Sequence, residues 1–279
     1  MATATISAPS RRFDATTGTR RQTLGRAIRS EWVKLRTLRS TWIGMGTVLA
    51  LLVGIAAVAA VVTNGAAPTD DRGPFEGGAL STVLSGADFA VLLVGVLGAL
   101  AGAREYGSRM ISATVAAVPR RWEVVVGKAV VFAGVVASTT LVGVLAAFAV
   151  GMGVLSAGDS ATVALTDDGV LRSVLGMGGY LTAIGLIGLG LGVLLRSVAG
   201  AIGGLVGGVI VLPALAGALL PASLDSVLQF LPSSAAAAFT MVTAAGDSVL
   251  GSTAGALVLA AWVAAALGAS ILAITRRDV

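Results

Sequence analysis

Six long windows almost without charged residues constrain this chain more than any other feature of its sequence. They cover about 42–63, 84–103, 129–155, 174–195, 198–220 and 254–274. A helix of about 20 residues rises about 30 Å, which matches the thickness of the hydrocarbon layer of a bilayer. Only 12% of the residues are charged, about half the share found in soluble domains. The sequence therefore predicts an all-α, polytopic membrane protein with six transmembrane helices, which form one domain over 42–279.

The Lys and Arg residues are distributed unevenly among the segments that flank these windows. With six spans both termini lie on one side, and seventeen of the nineteen basic residues fall on that side. Cytoplasmic segments of membrane proteins are enriched in Lys and Arg, so we expect both termini to be cytoplasmic and Arg72 and Arg172 to be outside. The net charge of +5 then reflects orientation and not nucleic-acid binding. Seventeen Arg against two Lys favour a bacterial source, and hence a bacterial plasma membrane.

The segment that precedes the first window divides into two parts. Residues 1–23 are rich in Ser, Thr, Ala and Arg, which predicts a disordered cytoplasmic tail. Residues 24–41 have apolar residues at helical spacing, with basic residues around the rest of the helix. The apolar stripe contains Leu24, Ile28, Trp32, Leu35, Leu38 and Trp42, and the basic residues are Arg26, Arg29, Lys34 and Arg36. This pattern predicts an amphipathic helix on the inner membrane surface, in contact with lipid headgroups.

Glu31 falls on the apolar stripe of this helix. A carboxylate that faces lipid is costly, so we expect Glu31 to pair with Lys34, three residues later, or to contact another cytoplasmic group. The helix then has two possible roles, either as a juxtamembrane anchor alone or as an anchor that also contacts a partner.

The segment "REYGSRMISATVAAVPRRWEVVVGK", residues 104–128, is the most polar stretch between two apolar windows. Residues 108–118 can form a short helix that Pro119 would stop, and Arg120, Arg121 and Lys128 lead into the third window. A short helix held below the membrane between charged residues has the form of a docking element, which would pass the movement of a soluble partner to both attached spans. The alternative is a solvated loop that carries orientation charges, and this alternative is favoured for Arg120 and Arg121 taken alone.

The chain lacks the residues that most kinds of catalysis require. With no Cys and no His it has no disulfide, thiol nucleophile, His-based triad or zinc site with such ligands. In "WEVVVGKA", Gly127 and Lys128 fit a phosphate-binding loop, but Trp122 and Ala129 replace its first Gly and its hydroxyl residue. We expect no enzyme activity, no cofactor and no metal, and any ATP hydrolysis must come from a separate chain.

Several of these segments resemble the membrane-spanning permease subunit of a type 2 ATP-binding cassette (ABC) exporter. They are "SEWVKLRTLRSTW" before the first window, the 104–128 segment, the six spans with both ends inside, and "FLPSSAAAAF" at 230–239. The most specific part is the spacing of Glu105, Tyr106, Gly107, Pro119 and Lys128. The resemblance implies that 24–41 is a connecting helix and that 104–128 is a coupling loop that sits on a separate ATPase dimer. It also implies short extracellular or re-entrant helices after Pro221.

The resemblance further implies which residues contact the ATPase and which partners the chain has. The coupling residues would be Arg104, Glu105, Tyr106, Gly107, Arg109, Pro119, Arg120 and Lys128, and the connecting helix would contribute Glu31, Trp32, Lys34 and Arg36. Two permease copies, identical or homologous, would form the pathway within the membrane lipids. Because the spans almost lack charge, we expect a hydrophobic or amphipathic cargo. The alternative function is a membrane-anchored scaffold or sensor without transport activity.

Small residues recur at helical spacing in the fourth and fifth windows. Gly188 and Gly192 repeat in the fourth, and Gly200, Gly204 and Gly208, joined by Gly203 and Gly207, repeat in the fifth. Small residues let helices approach closely in lipid, either within one chain or across a dimer interface, and packing within the chain is the default expectation. The gap between the two windows is short enough to predict a tight turn around Arg196.

Overall fold

The computed structural model describes residues 24–65, 78–107, 121–219, 225–241 and 250–276, and all regular structure within these ranges is helical. The helices are α1 Leu24–Thr37, α2 Arg39–Gly65, α3 Gly78–Leu84, α4 Ala87–Gly107, α5 Arg121–Ala157, α6 Val170–Leu195, α7 Val198–Val206, a π-helical turn Gly207–Val211, α8 Leu212–Leu219, α9 Asp225–Leu228, α10 Pro232–Thr240 and α11 Ser252–Arg276.

Six stretches of the described residues are long and apolar enough to cross a bilayer. They are Arg39–Gly65, Gly78–Arg104, Trp122–Ala157, Val170–Leu195, Val198–Ala216 and Ser252–Arg276. The predicted all-α membrane architecture with six spans is therefore confirmed. The segment before the sixth span contains the two short helices α9 and α10.

The amphipathic helix is separated from the first span by a turn at Leu38. The N–H of Leu38 donates to the carbonyl of Leu35 at 3.3 Å, and the indole N–H of Trp42 donates to the carbonyl of Arg36 at 3.1 Å. These bonds satisfy carbonyls at the end of α1 that have no partner inside the helix. The predicted helix over 24–41 thus ends at Thr37, and Trp42 holds α1 against the start of α2.

The second span is interrupted at Gly86, between α3 and α4. A Cβ at Gly86 would lie 2.8 Å from the carbonyl oxygens of Leu51 and Leu52 on α2. Because real Cβ atoms essentially never approach so closely, α2 packs directly on the backbone at this break. Only glycine fits there.

The centre of the bundle is the contact between α4 and α6, which is built on glycine. A Cβ at Gly98 of α4 would collide with the carbonyl of Gly185, and one at Gly188 of α6 would collide with the carbonyl of Gly95. The two backbones therefore touch without side chains between them, as small residues allow in membrane proteins. The largest fully buried side chains near this contact include Leu181, Ile184, Leu189 and Leu205.

Hydroxyl groups connect the neighbouring helices to α6. The hydroxyl of Thr140 on α5 lies 3.1 Å from the carbonyl of Gly178, and that of Ser270 on α11 donates to the carbonyl of Gly190 at 2.8 Å. In an apolar environment an unpaired hydroxyl is costly, so these bonds help to fix the positions of α5 and α11 on α6.

The predicted tight turn around Arg196 joins α6 to the fifth span and is confirmed. Arg196 has a positive φ of 53° and its N–H donates to the carbonyl of Gly192 at 3.1 Å. Ser197 then caps α7, since its hydroxyl accepts the N–H of Gly200 at 3.2 Å. The fifth span widens into its π-helical turn immediately before Pro213, which has no N–H to continue an α-helix.

The glycines of the fourth and fifth spans differ in their surroundings. Gly188 and Gly192 pack against α4, as predicted. At Gly203, Gly207 and Gly208 no atom of the described chain lies within 4 Å of an added Cβ. Within the described chain, the expectation of packing is therefore wrong for these three glycines, whereas a Cβ at Gly204 of the same span would contact Leu191 and Leu195 of α6.

Candidate functional site

The candidate site is the contact between α1 and the start of α5, which we call the α1–α5 junction. It contains Ala27, Glu31 and Lys34 of α1 and Gly127 and Lys128 of α5. A Cβ at Gly127 would lie 3.3 Å from the backbone of Ala27 and of Ile28 and 3.4 Å from the Cβ of Ala27. Ala27 is buried by this contact. The two small residues therefore set the close approach of the two helices.

Glu31 lies one turn after Ala27 on the same face of α1 and is only 6% exposed. Its Oε1 accepts a hydrogen bond from the Nζ of Lys34 at 2.7 Å, and its Oε2 accepts one from the Nζ of Lys128 at 2.9 Å. A buried carboxylate is tolerated when it is paired and hydrogen-bonded, and here both of its oxygens are. The predicted pair with Lys34 is confirmed, and Lys128 provides the further charged group.

The two lysines differ in their contact with solvent. The side chain of Lys34 is 40% exposed, whereas that of Lys128 is 13% exposed. The Lys128 pair is therefore the less screened of the two, and it is the one that joins two helices. It also brings together the two segments that the sequence singled out, the amphipathic helix and the end of the 104–128 segment.

The start of α2 and the end of α4 meet through a polar contact. Arg104 is exposed, and its Nη1 lies 3.4 Å from the hydroxyl of Ser40 at the start of α2. Trp32 and Arg36 are exposed on α1. These side chains are thus at the surface of the described helices.

The remaining predicted site residues are placed as follows. Glu105, Tyr106 and Gly107 form the end of α4. Arg109, Pro119 and Arg120, together with the helix predicted over 108–118, lie outside the described residues. Helix α5 begins at Arg121, so the prediction that the loop extends to residue 128 is wrong, because residues 121–128 are helical. Lys128 lies about two turns inside a helix, whose regular geometry aims its side chain at Glu31.

Glu123 was not among the predicted site residues. It is buried, lies in the first turn of α5, and its Oε2 has no hydrogen-bond partner among the described residues. A carboxylate in the first turn is favoured by the exposed N–H groups and the dipole of the helix. The single signal in the sequence was its position two residues after Arg121, with Trp122 between them.

The junction has no arrangement for bond-making chemistry. Across the part of the chain that the structure describes, no three His, Cys, Asp or Glu side chains are grouped so that they could hold a metal ion. The ion pairs can serve a mechanical role, because the pair between Glu31 and Lys128 ties the amphipathic helix α1 to the membrane-spanning helix α5. No protein-family model matches the chain, and no curated protein matches it.

Proposed function

We propose that this chain is the permease subunit of an ATP-driven exporter, forming the pathway as a dimer and working with ATPase subunits on separate chains. The ion pair between Glu31 and Lys128 carries this proposal. It joins the interfacial helix to the third span directly after the 108–120 segment, which would sit on the ATPase. A push on that segment would therefore move α1 and α5 together.

The length of α5 supports such a coupling role. It is one continuous helix of 37 residues from Arg121 to Ala157, about 55 Å long, which exceeds the thickness of a whole bilayer with its headgroups. Movement at its cytoplasmic end would thus reach the other side of the membrane without passing through a flexible joint. The exposed side chains of Trp32, Arg36 and Arg104 would add contacts to the ATPase beside this helix.

A second copy of the chain fits the poor burial of the fifth span. Only 18% of its most apolar window is buried within the chain, against 56% for the second and fourth spans. Its glycine face at Gly203, Gly207 and Gly208 has room for close contact with another helix. The cargo would be hydrophobic or amphipathic, because the spans contain almost no charge with which to replace the hydration shell of an ion.

The proposal is tested by purifying the tagged full-length chain from bacterial plasma membranes in a mild detergent. We expect a chain with a phosphate-binding loop to co-purify and to hydrolyse ATP in a vanadate-sensitive manner. Charge reversal by Arg104→Glu or Glu105→Lys should lower this activity. The matched control is Asp168→Lys, an exposed position on the predicted outer side, which should leave it unchanged.

A chain that purifies without any ATPase would contradict the permease function. That result would favour the scaffold or sensor, whose loops bind a regulator and need no nucleotide. An ATPase that co-purifies but responds equally to all three charge reversals would show that the predicted cytoplasmic segment is not where the two proteins meet.

A further inference from the structure

A groove runs between α6 and α11 from the ends that carry Arg172 and Ser252. Further along, the two helices are in tight contact, and a Cβ at Gly190 would lie 2.9 Å from Ala266. Towards Arg172 and Ser252 lie two adjoining open cavities of about 490 and 520 Å³, the first also lined by Phe239 of α10 and the second by Ala137 and Leu141 of α5. The residues that line both cavities are Gly179, Ala183 and Ala260.

The walls of the groove are small or apolar residues. Gly176, Phe239 and Leu259 line the cavity nearer Arg172, and Leu186 and Val263 line the other. Thr182 also lines the cavity that contains Leu186 and Val263, but its hydroxyl already donates to the carbonyl of Gly178 at 2.8 Å. The interior of the groove thus suits a hydrocarbon chain and offers little to a polar ligand.

The depth of the groove matches one leaflet of a bilayer. It follows α6 from Arg172 to Leu186, a rise of about 21 Å at about 1.5 Å per residue. One leaflet with its headgroups is about 20–22 Å thick. Because α6 is long and apolar enough to span a bilayer and Arg172 lies in its first turn, we expect the guanidinium at headgroup level and the far end of the groove near the bilayer centre.

The mouth of the groove carries a cation, Arg172. Arg172 is exposed and its Nη1 donates to the hydroxyl of Ser252 at 2.9 Å. No carboxylate of the described chain forms an ion pair with it. A guanidinium has five N–H donors, so one bond to Ser252 leaves it able to bind an anion. The first N–H groups of α11, which begins at Ser252, lie at the same mouth and also favour an anion.

We propose that this groove binds an anionic phospholipid, with the phosphate on Arg172 and an acyl chain along Gly179 and Ala183. Three features together favour this occupant. The apolar walls and the depth of one leaflet suit an acyl chain, and the cation expected at headgroup level suits a phosphate. A headgroup with net negative charge is favoured over a zwitterionic one, because no carboxylate of the described chain forms an ion pair with Arg172. This inference concerns the fourth and sixth spans and does not depend on the ATPase.

The test is native mass spectrometry of the purified full-length chain, titrated with phosphatidylglycerol or phosphatidylcholine of the same acyl composition. The wild-type chain should bind one phosphatidylglycerol about tenfold more tightly than phosphatidylcholine, the ratio that one charge-assisted contact supplies. Arg172→Gln should remove this preference, and Arg172→Lys should retain most of it. An excess of inorganic phosphate should not displace the lipid, because phosphate alone cannot fill the groove.

A second pair of variants tests the groove itself. Gly179→Leu should abolish binding of both lipids, since its Cβ has open space around it and the side chain would occupy the groove. Gly134→Leu is the matched control, because Gly134 is an exposed glycine of α5 with the same open space, and it should bind lipid as the wild type does. Thermal unfolding of each variant checks that it is folded.

Three results would overturn the proposal. Equal affinity of the wild-type chain for the two lipids would show that Arg172 does not select an anionic headgroup. Unchanged lipid binding by folded Gly179→Leu would place the lipid elsewhere. A change from dimer to monomer in Gly179→Leu with unchanged lipid binding would assign the groove to a second copy of the chain instead.

Discussion

Glu31 and Lys128 are 97 positions apart in the sequence, and their carboxylate and ammonium groups meet at 2.9 Å. The pair closes the α1–α5 junction, in which the amphipathic helix α1 lies on the start of the third span. Since Glu31 also accepts a hydrogen bond from Lys34, one buried carboxylate is paired with two cations. This arrangement ties α1 to α5, and the predictions below test it and the packing around it.

Removing the partners of Glu31 should affect stability unequally. Lys128→Gln should lower the free energy of unfolding by about 3 kcal/mol, because it deprives a buried carboxylate of the less exposed of its two cations. Lys34→Gln should cost about 0–1 kcal/mol, since that lysine is largely hydrated. Denaturant unfolding of the purified chain, followed by Trp fluorescence, measures both. Equal losses in the two variants would mean that Lys128 does not hold α1.

The closeness of Ala27 and Gly127 can be tested by a disulfide, because the chain has no native cysteine. The Cβ atoms at these positions would be 3.4 Å apart, close to the 3.5–4.5 Å that disulfides require. The double variant Ala27→Cys with Gly127→Cys should therefore oxidise to a cross-linked form, detected by a mobility shift that reductant reverses. In the control, Gly25→Cys replaces Ala27→Cys and should remain reduced, because Gly25 faces open space. Cross-linking of the control alone would place a different face of α1 on α5.

The glycine contact between α4 and α6 should not accept even one methyl group. Gly98→Ala puts a Cβ against the carbonyl of Gly185, so the helices must move apart and the melting temperature should fall. We expect a loss of about 1–3 kcal/mol, as is usual for overpacking. Gly134→Ala, at an open position, should leave stability unchanged or raise it by up to about 1 kcal/mol. A Gly98→Ala variant as stable as Gly134→Ala would contradict the close packing of these helices.

The predicted orientation can be tested with single cysteines in the cysteine-free chain. A membrane-impermeant maleimide added to intact cells should label Ala161→Cys, which is exposed in the segment between α5 and α6. It should label Arg29→Cys and Arg109→Cys only after the membrane is permeabilised. Labelling of Arg109→Cys from outside would invert the topology and would remove any cytoplasmic partner from the 104–128 segment.

The spans could be predicted from the sequence because apolar composition over about 20 residues is enough to identify them. The breaks within and around them could not. The interruption at Gly86 depends on the carbonyls of Leu51 and Leu52 in a different helix. In the same way, Gly188 and Gly203 have the same local sequence character, yet one packs on α4 and the other faces outward. Which glycine is covered is decided by tertiary contacts.

Only part of the candidate site could be predicted from the sequence, because the rest depends on tertiary contacts. The cost of a carboxylate on an apolar stripe indicated that Glu31 must have a charged partner, and Lys34 followed from helical spacing alone. Lys128 could not be chosen in advance, because its contact with Glu31 exists only once α1 lies across α5. The burial of Glu123 arises from the same tertiary arrangement.

The proposed coupling role of the junction is tested most directly by a charge swap, read out as the vanadate-sensitive ATP hydrolysis expected of the chain purified with its ATPase. Glu31→Lys alone should lower the rate by about tenfold, within the range usual for coupling between sites. Combining it with Lys128→Glu should restore most of the rate, because the ion pair is re-formed with its charges exchanged. A single variant as active as the wild type, or a double variant no better than the single one, would contradict the account.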